Sequence, residues 1–303
     1  MNILITGSTG FVGRHLVPQL IKRNFNILEL TRNIKRSEDL FGQHTQKYLI
    51  TDEQDALTDT VIKFNPEIVI HLASYLTAAD TYTDLRMLID VNIFFPARIM
   101  DSLKETNLEL FINTGTFAEY FSSSENFDPA YLYASTKTAS RSILDYYAKA
   151  YNFSYATVTP YTIYGGTDDK KKIIDHIYDS LNSERPLDLS PGEQVLDFIH
   201  IADIVDFYLL LVNNRGYIPP KTNFPAGTGK GNNLKQLARI FEQQTGMKAN
   251  INWGGKPYRN TDIMYAVADI SLQKKLFNWQ PRIELEEGIM LYLTEKNNNR
   301  SAV

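Results

Sequence analysis

Apolar runs of strand length recur through the first half of the chain: NILIT (2–6), FNILEL (25–30), EIVIHLA (67–73), LELFINT (108–114) and FSYATVT (153–159). Most are continuously apolar rather than alternating, the pattern of strands buried on both faces. Between them, FVGRHLVPQLIKR, TDTVIKF, DLRMLIDVNIFFPARIMDSLKE and YASTKTASRSILDYYAKAY carry apolar residues near a helical period. Strand–helix alternation of this kind predicts an α/β chain with a doubly wound parallel sheet. Pro18 inside the first helix reads as a kink rather than an end.

After about residue 165 the pattern loosens. Turn-forming stretches cluster at YGGTDD, NNRGYIPP, AGTGKGNN and NWGGKP, with helices over 201–212 and 233–244 between them. This predicts two domains, 1–164 and 165–303, facing each other across a cleft, with segments near 195–230 returning to the first. The polar tail 296–303 reads as frayed, and Asp168–Lys172, a short mixed-charge run, as a solvated loop.

Composition narrows the chemistry. The 303 residues are 43% hydrophobic and 22% charged with net charge −4, which gives no basic field for nucleic acid. There is no cysteine, so thiol nucleophiles and thiolate metal sites are excluded, and a reducing cytoplasmic setting fits. The five histidines show no metal-ligand spacing, and no metal is expected. MNILITGSTG meets glycines too soon for a signal peptide, and no apolar run is long enough to span a membrane.

ITGSTGFVG places Gly7, Gly10 and Gly13 between a predicted strand and a predicted helix. Glycine there lets the chain turn tightly, approach a pyrophosphate and pack helix on strand, while the helix N-terminus offers unpaired N–H groups to the phosphate. The end of the second strand selects the nicotinamide cofactor, because an acid grips a ribose 2′-OH and an arginine suits a 2′-phosphate. Here ILELTRN has Arg32 after the strand, with Glu29 inside it, so NADP(H) is favoured over NAD(H). The competing reading makes Arg32 a solvent-facing strand-end residue. Asp52, after the third strand, is either an adenine contact or the N-cap of the next helix.

Tyr133 stands four residues before Lys137 in YLYASTK, but the same spacing occurs at Tyr217/Lys221 and Tyr292/Lys296. Only Tyr133/Lys137 opens a predicted helix downstream of both a dinucleotide loop and a strand-end hydroxyl. Four residues bring both side chains to one helix face. A cation there would favour ionisation of a phenol otherwise near pKa 10.

The glycine loop, the Tyr-x-x-x-Lys pair and the strand-end hydroxyl together resemble the extended short-chain dehydrogenase/reductase family, in its nucleotide-sugar epimerase, dehydratase and reductase branch. VIHLAS (69–74), IYGG (163–166), GEQVLDFIHIADIVDFYL (192–209) and YRNTDIMYAVADISLQKKLFNWQPRIELEEGI (258–289) carry the likeness along the whole chain. The later stretches, with AGTGKGNNLKQL (226–237), are most similar to CDP-abequose synthase-like 4-keto-sugar reductases of O-antigen deoxysugar pathways. The resemblance implies a Rossmann-type domain followed by a smaller α/β substrate domain, and a homodimer through two helices of the first.

It further implies that Tyr133 protonates the developing sugar alkoxide, that Lys137 holds the nicotinamide ribose, and that the Thr116 hydroxyl bonds the reacting oxygen, with Thr114 as runner-up. For either threonine the competing reading is a hydroxyl capping its own backbone. Cofactor contacts are implied at Gly7, Thr9, Gly10, Phe11, Val12, Leu72, Ala73 and Pro160, with Tyr161 beside the nicotinamide. Arg259 is implied as the main cation on the substrate diphosphate, with an exposed loop residue as the alternative. Tyr164 reads as packing, and His200 and Asn92 as structural.

Departures from the family pattern sharpen the reaction. The acid–base pair that dehydratases carry after the hydroxyl is replaced by Phe117 and Ala118, with Glu119 one step too late, so water elimination is not expected. Leu196 replaces the arginine of the family's Gln-x-Arg-Asp-Phe, and Thr157 or a neighbour the arginine that leads its later turn. The expected activity is NADPH-dependent reduction of the C4 keto group of a nucleotide-linked 4-keto-6-deoxy or 3,6-dideoxy sugar. The alternatives are a 4-epimerase with retained NAD and a catalytically idle cofactor-sensing regulator.

Overall fold

A computed structural model describes residues 1–122 and 126–301. The strands are β1 (Asn2–Thr6), β2 (Asn26–Thr31), β3 (Gln46–Leu49), β4 (Ile68–His71), β5 (Leu110–Thr114), β6 (Ser154–Pro160), β7 (Thr162–Tyr164), β8 (Leu187–Leu189), β9 (Val195–His200), β10 (Thr222–Ala226), β11 (Gly231–Asn233), β12 (Ile251–Trp253) and β13 (Tyr265–Ala266). The helices are α1 (Phe11–Lys22), α2 (Ile34–Phe41), α3 (Gln54–Phe64), α4 (Tyr82–Ile89), α5 (Phe95–Ser102), α6 (Leu132–Tyr151), α7 (Ile173–Ser180), α8 (Ile201–Asn213), α9 (Leu234–Thr245), α10 (Ser271–Phe277) and α11 (Leu285–Ser301). A π-helical turn, Asp90–Phe94, joins α4 to α5.

The seven-stranded sheet runs β10-β6-β5-β4-β1-β2-β3, and the pairs from β6 to β3 are parallel. Strand order reverses between β1 and β4, the switch point of a Rossmann-type doubly wound sheet, where ligands bind beyond the carboxyl ends. The continuous apolar runs are explained by burial on both faces: Ile3–Ile5 and Ile68–Ile70 are inaccessible to solvent. One face packs a core of Leu4, Val69, Ile99, Phe111 and Leu144. Pro18 lies inside α1 without ending it.

The chain divides into two compact units, Met1–Thr159 with Val205–Phe224, and Pro160–Ile204 with Pro225 onward. The second unit is built on the sheet β11-β9-β13, with β7 also pairing β9, and a separate β8–β12 pair. Its core includes Tyr164, Ile177, Phe198, Leu237, Phe241 and Ile289. Two expectations are corrected here. The polar tail is helical as far as Ser301, with α11 anchored by Tyr292 and Lys296, which bond Asp175 of α7 at 2.7 and 2.9 Å, while positions 302–303 of that expectation lie outside the described residues. In the Asp168–Lys172 loop, Lys172 is half-buried at the start of α7, 3.1 Å from Asp168, rather than solvated.

Candidate active site

The glycine loop connects β1 to α1 at the switch point. Gly7 has φ +68°, and a Cβ there would lie 2.6 Å from the Ala73 nitrogen, so β4's exit closes directly over the turn. A Cβ on Gly13 would overlap the carbonyl oxygens of Gly7 and Ser8. The Ala73 N–H donates to Thr6 Oγ1 at 3.2 Å and the Leu72 N–H to Thr6 O at 3.2 Å, bringing Leu72 and Ala73 to the loop. Helix α1 starts at Phe11 after exposed Gly10, with no side chain capping its N-terminus. The first-turn N–H groups, including those of Phe11 and Val12, therefore suit a pyrophosphate. Thr9 adds a carbonyl that accepts from Arg14 at 3.2 Å.

Parallel register carries the neighbouring candidates to the same sheet edge. Thr6 pairs with Leu30 and His71, and Thr31 with Leu49, so Arg32 and Asp52 follow strands ending beside the loop. Both are exposed. Glu53, not Asp52, is the N-cap residue of α3, and no side chain caps that helix, which removes the N-cap reading of Asp52. Glu29 is buried in β2 as an acceptor for Ser37 and Thr45, so it is committed to the fold.

Helix α6 opens with the Tyr133/Lys137 pair, and both residues are buried, Tyr133 at 8% exposure. Burial pushes the Tyr133 phenol up to about 12, against the pull of a hydrogen bond with Ser74. Burial likewise pushes the Lys137 ammonium down to about 8, with Glu119 opposing that shift. Desolvation is the largest cause acting on both groups, and Lys137 is not among the causes acting on the phenol. Tyr131 stacks on Tyr133 with ring centroids 5.9 Å apart. His71, at the end of β4, is pushed down to about 3 by burial and then by Lys137, and stays neutral beside Thr6 Oγ1 at 2.9 Å.

Thr116 sits at the start of a short 3₁₀ turn, Phe117–Glu119, and its hydroxyl accepts from the Ala118 N–H at 3.3 Å. That is the backbone-capping geometry, and it leaves the hydroxyl proton to donate elsewhere. The hydroxyl of Thr114 is instead paired with Tyr208 at 2.6 Å. Glu119 accepts from the Thr116 N–H at 2.8 Å and is held by Arg141 at 2.7 and 3.0 Å. This buried ion pair removes Glu119 from acid–base work and makes it a brace for Thr116 and a negative charge near Lys137.

Asn92, fully buried in the π-helical turn, accepts from the Tyr75 N–H at 2.8 Å and Ser74 Oγ at 3.2 Å. It donates to Tyr75 O at 3.0 Å and Thr136 Oγ1 at 3.1 Å, tying the turn to α6. Sequence reasoning passed over Ser74 and Arg141. Ser74 was visible only as a small polar residue after HLA, and Arg141 only as a cation one further helical turn beyond Lys137.

In the second unit, Pro160 ends β6 and Tyr164 belongs to the core. His200 accepts from the Ala202 N–H at 3.2 Å, a junction role. Arg259 is exposed, its N–H bonded to Asp262 at 2.9 Å. Leu196 packs against the apolar core. Neighbouring Asp197, buried, collects Thr228, Gly229 and Ala268 N–H groups at 2.8–3.1 Å. Among the described residues no group of three or more His, Asp or Glu is arranged to hold a metal, and no helix is long and apolar enough to cross a membrane.

A parallel sheet with a glycine loop at its switch point and a buried Tyr–Lys pair defines a Rossmann-type fold suited to a dinucleotide cofactor. The chain belongs to the NAD dependent epimerase/dehydratase family, whose model matches residues 3–226, and is an NAD(P)-dependent sugar oxidoreductase. Among curated proteins it is 31% identical to a CDP-abequose synthase of Yersinia pseudotuberculosis, over 87% of this chain and 91% of the relative. It is 27% identical to a CDP-abequose synthase of Salmonella typhimurium, over 95% of each. Among solved structures, a UDP-glucose 4-epimerase of Thermotoga maritima, with UDP-glucose, superimposes with a TM-score of 0.87 at 22% identity, covering 99% of both chains. That likeness establishes the fold.

Proposed function

We propose that this chain is an NADPH-dependent 4-ketoreductase acting on a nucleotide-linked 4-keto-6-deoxy or 3,6-dideoxy sugar. The observation that carries this reading is the likeness, along most of the chain, to relatives named CDP-abequose synthase, 31% and 27% identical, together with a buried Tyr133 that opens α6 one helical turn before Lys137 and can serve as proton donor. Carbonyl reduction begins by needing a proton donor at the oxygen, whereas alcohol oxidation begins by needing a base. The relatives named CDP-abequose synthase support the same reading and make CDP-linked sugars the first to test.

In this account the backbone of Gly7, Thr9, Gly10, Phe11 and Val12 holds the pyrophosphate, while Leu72, Ala73 and Pro160 line the nicotinamide half. Lys137 binds the ribose. When bound, the reduced nicotinamide supplies the hydride for C4. Tyr133 gives its proton to O4, Thr116 donates a hydrogen bond to the same oxygen, and Arg259 meets the substrate diphosphate. Asp52 accepts from the adenine amine, and exposed Arg32 meets the 2′-phosphate.

Arg32→Asp tests the cofactor choice. NADPH is expected to lose at least tenfold in affinity relative to NADH; an unchanged ratio would remove the 2′-phosphate argument.

The second reading, a 4-epimerase that retains NAD, is favoured by the fold's likeness to the Thermotoga epimerase. A cationic nicotinamide close to Tyr133 would favour its phenolate and supply the base that reading requires. The reading predicts NAD that survives dialysis and no net NADPH consumption. On either reading we place the enzyme in the cytoplasm as a homodimer through α4–α5 and α6. Exposed Ile89, Phe94 (58% accessible) and Tyr146 supply apolar surface there. Sedimentation of the wild type against Phe94→Arg checks this, with the variant expected to be monomeric.

A further inference from the structure

We propose that Glu29 and Ser37 are a positioning pair for cofactor choice, fixing the segment Thr31–Ser37 so that Arg32 is held ready for a ribose 2′-phosphate. This rests on the NADPH preference proposed above.

An acid at the end of this strand would favour a free ribose 2′-OH. The structure takes Glu29 out of that role. It lies two residues before the end of β2, fully buried, on the face opposite Leu28 and Leu30, which pack in the core with Val61. Ser37 Oγ lies 2.8 Å from both of its carboxylate oxygens, and Thr45 Oγ1 donates to one of them. Its register partner on β3, Lys47, donates instead to the Gly42 and Thr45 carbonyls at 2.7 and 3.1 Å. Hydroxyls from α2 and from the approach to β3 thus hold this carboxylate, and such charge-assisted bonds fix where α2 sits on the strand.

Ser37 carries that fixed point to the loop. Its N–H donates to the Asn33 carbonyl at 3.2 Å, and the Arg36 N–H donates to Asn33 Oδ1 at 2.9 Å, which caps α2. Asn33 is in turn clasped to the strand end. Its N–H donates to Thr31 Oγ1 at 3.2 Å, and its carbonyl accepts from that hydroxyl at 3.3 Å. Both neighbours of Arg32 therefore belong to one hydrogen-bonded frame rooted on Glu29, while Arg32 itself is exposed. A cation on a fixed backbone loses less freedom on meeting a phosphate than one on a loose loop. That gain falls only on the cofactor that has the phosphate.

The test measures NADPH and NADH affinity by fluorescence titration for the wild type, Ser37→Ala, Arg32→Asp and the double variant. Ser37→Ala cuts the bond to α2 and leaves Glu29 its Thr45 donor. It is expected to weaken NADPH binding about three- to tenfold, the factor for ordering one charged side chain, with NADH within about twofold. In the Arg32→Asp background the same substitution is expected to change NADPH affinity no further, because it acts through Arg32. Equal losses for both cofactors mark a merely structural bond and overturn the proposal. An unchanged NADPH-to-NADH ratio in Ser37→Ala, or a loss that persists in the double variant, overturns it too. The wild type reads the cofactor choice separately: equal affinities for the two cofactors, unaltered by Arg32→Asp, remove the 2′-phosphate reading. Amide hydrogen exchange over 34–38 still decides the anchor in that case. Faster exchange in Ser37→Ala supports a frame rooted on Glu29, and unchanged exchange overturns it.

Discussion

Lys137 carries its charge where the surroundings resist it. Its ordinary value of 10.5 falls to about 8 in the folded chain. Below pH 8 both folded and unfolded states hold the proton, and the folded state bears the full penalty, about 3 kcal/mol for a shift of this size. That penalty recedes as pH rises from 8 towards 10.5, because only the unfolded state then keeps the proton. Lys137→Met is therefore expected to melt a few degrees higher than the wild type at pH 7 and to lose that advantage near pH 10.5, while turnover disappears. Thermal melts at the two pH values check it. The same titration predicts that kcat/KM of the wild type falls above about pH 8, well before Tyr133 ionises. His71 works in the acid direction. Its folded value of about 3 lies below the ordinary 6.5, so stability is full above 6.5 and lost as pH falls towards 3. His71→Gln should flatten the urea midpoint between pH 7 and 4. Tyr133→Phe, which keeps the ring and removes the proton, is expected to cut turnover at least a hundredfold and leave NADPH binding intact.

At the level of elements, Tyr133/Lys137 is the pair proposed as the site because it opens α6, which follows β5 and its strand-end loop. The helical decoy, Tyr292/Lys296, has the same spacing on α11 but spends both groups on Asp175. Tyr217/Lys221 is no helix pair at all: a 3₁₀ turn ends at Tyr217 and Lys221 has φ +61°. Context of this sort is legible in a sequence, because glycines and strand ends announce the edge. The Glu119–Arg141 brace was not legible, since 22 residues separate its partners and α6 must form before they meet. Its energetics give a direct check. Arg141→Met leaves Glu119 buried without its cation and is expected to destabilise the first unit by about 3–5 kcal/mol, whereas Glu119→Val with Arg141→Met should recover most of the loss. Chemical denaturation of the single and double variants distinguishes a brace from a surface pair. Helix α2 escaped direct reading, because IKRSEDLF buries only Ser37 and Phe41, and edge strand β3 was marked only by the acid that follows it, because QKYL is half-exposed.

Over the whole molecule, the first unit follows from its sequence because each buried strand of a parallel sheet must be apolar on both faces. The second unit follows less well. Its strands are mostly three residues or fewer, and β9 gathers partners from distant segments. Asp197 holds that arrangement together from within an apolar run, where a lone acid reads as a blemish. The central proposal is the direction of the chemistry, reduction at C4 with Tyr133 as proton donor, and the relatives named CDP-abequose synthase support it. The most direct measurement supplies purified, dialysed protein with NADPH and a panel of CDP-linked 4-keto sugars, and follows nicotinamide absorbance alongside product analysis. The account predicts stoichiometric NADPH oxidation with formation of the C4 alcohol by the wild type and none by Tyr133→Phe. Protein that retains NAD through dialysis, interconverts C4 epimers and never consumes NADPH would contradict it.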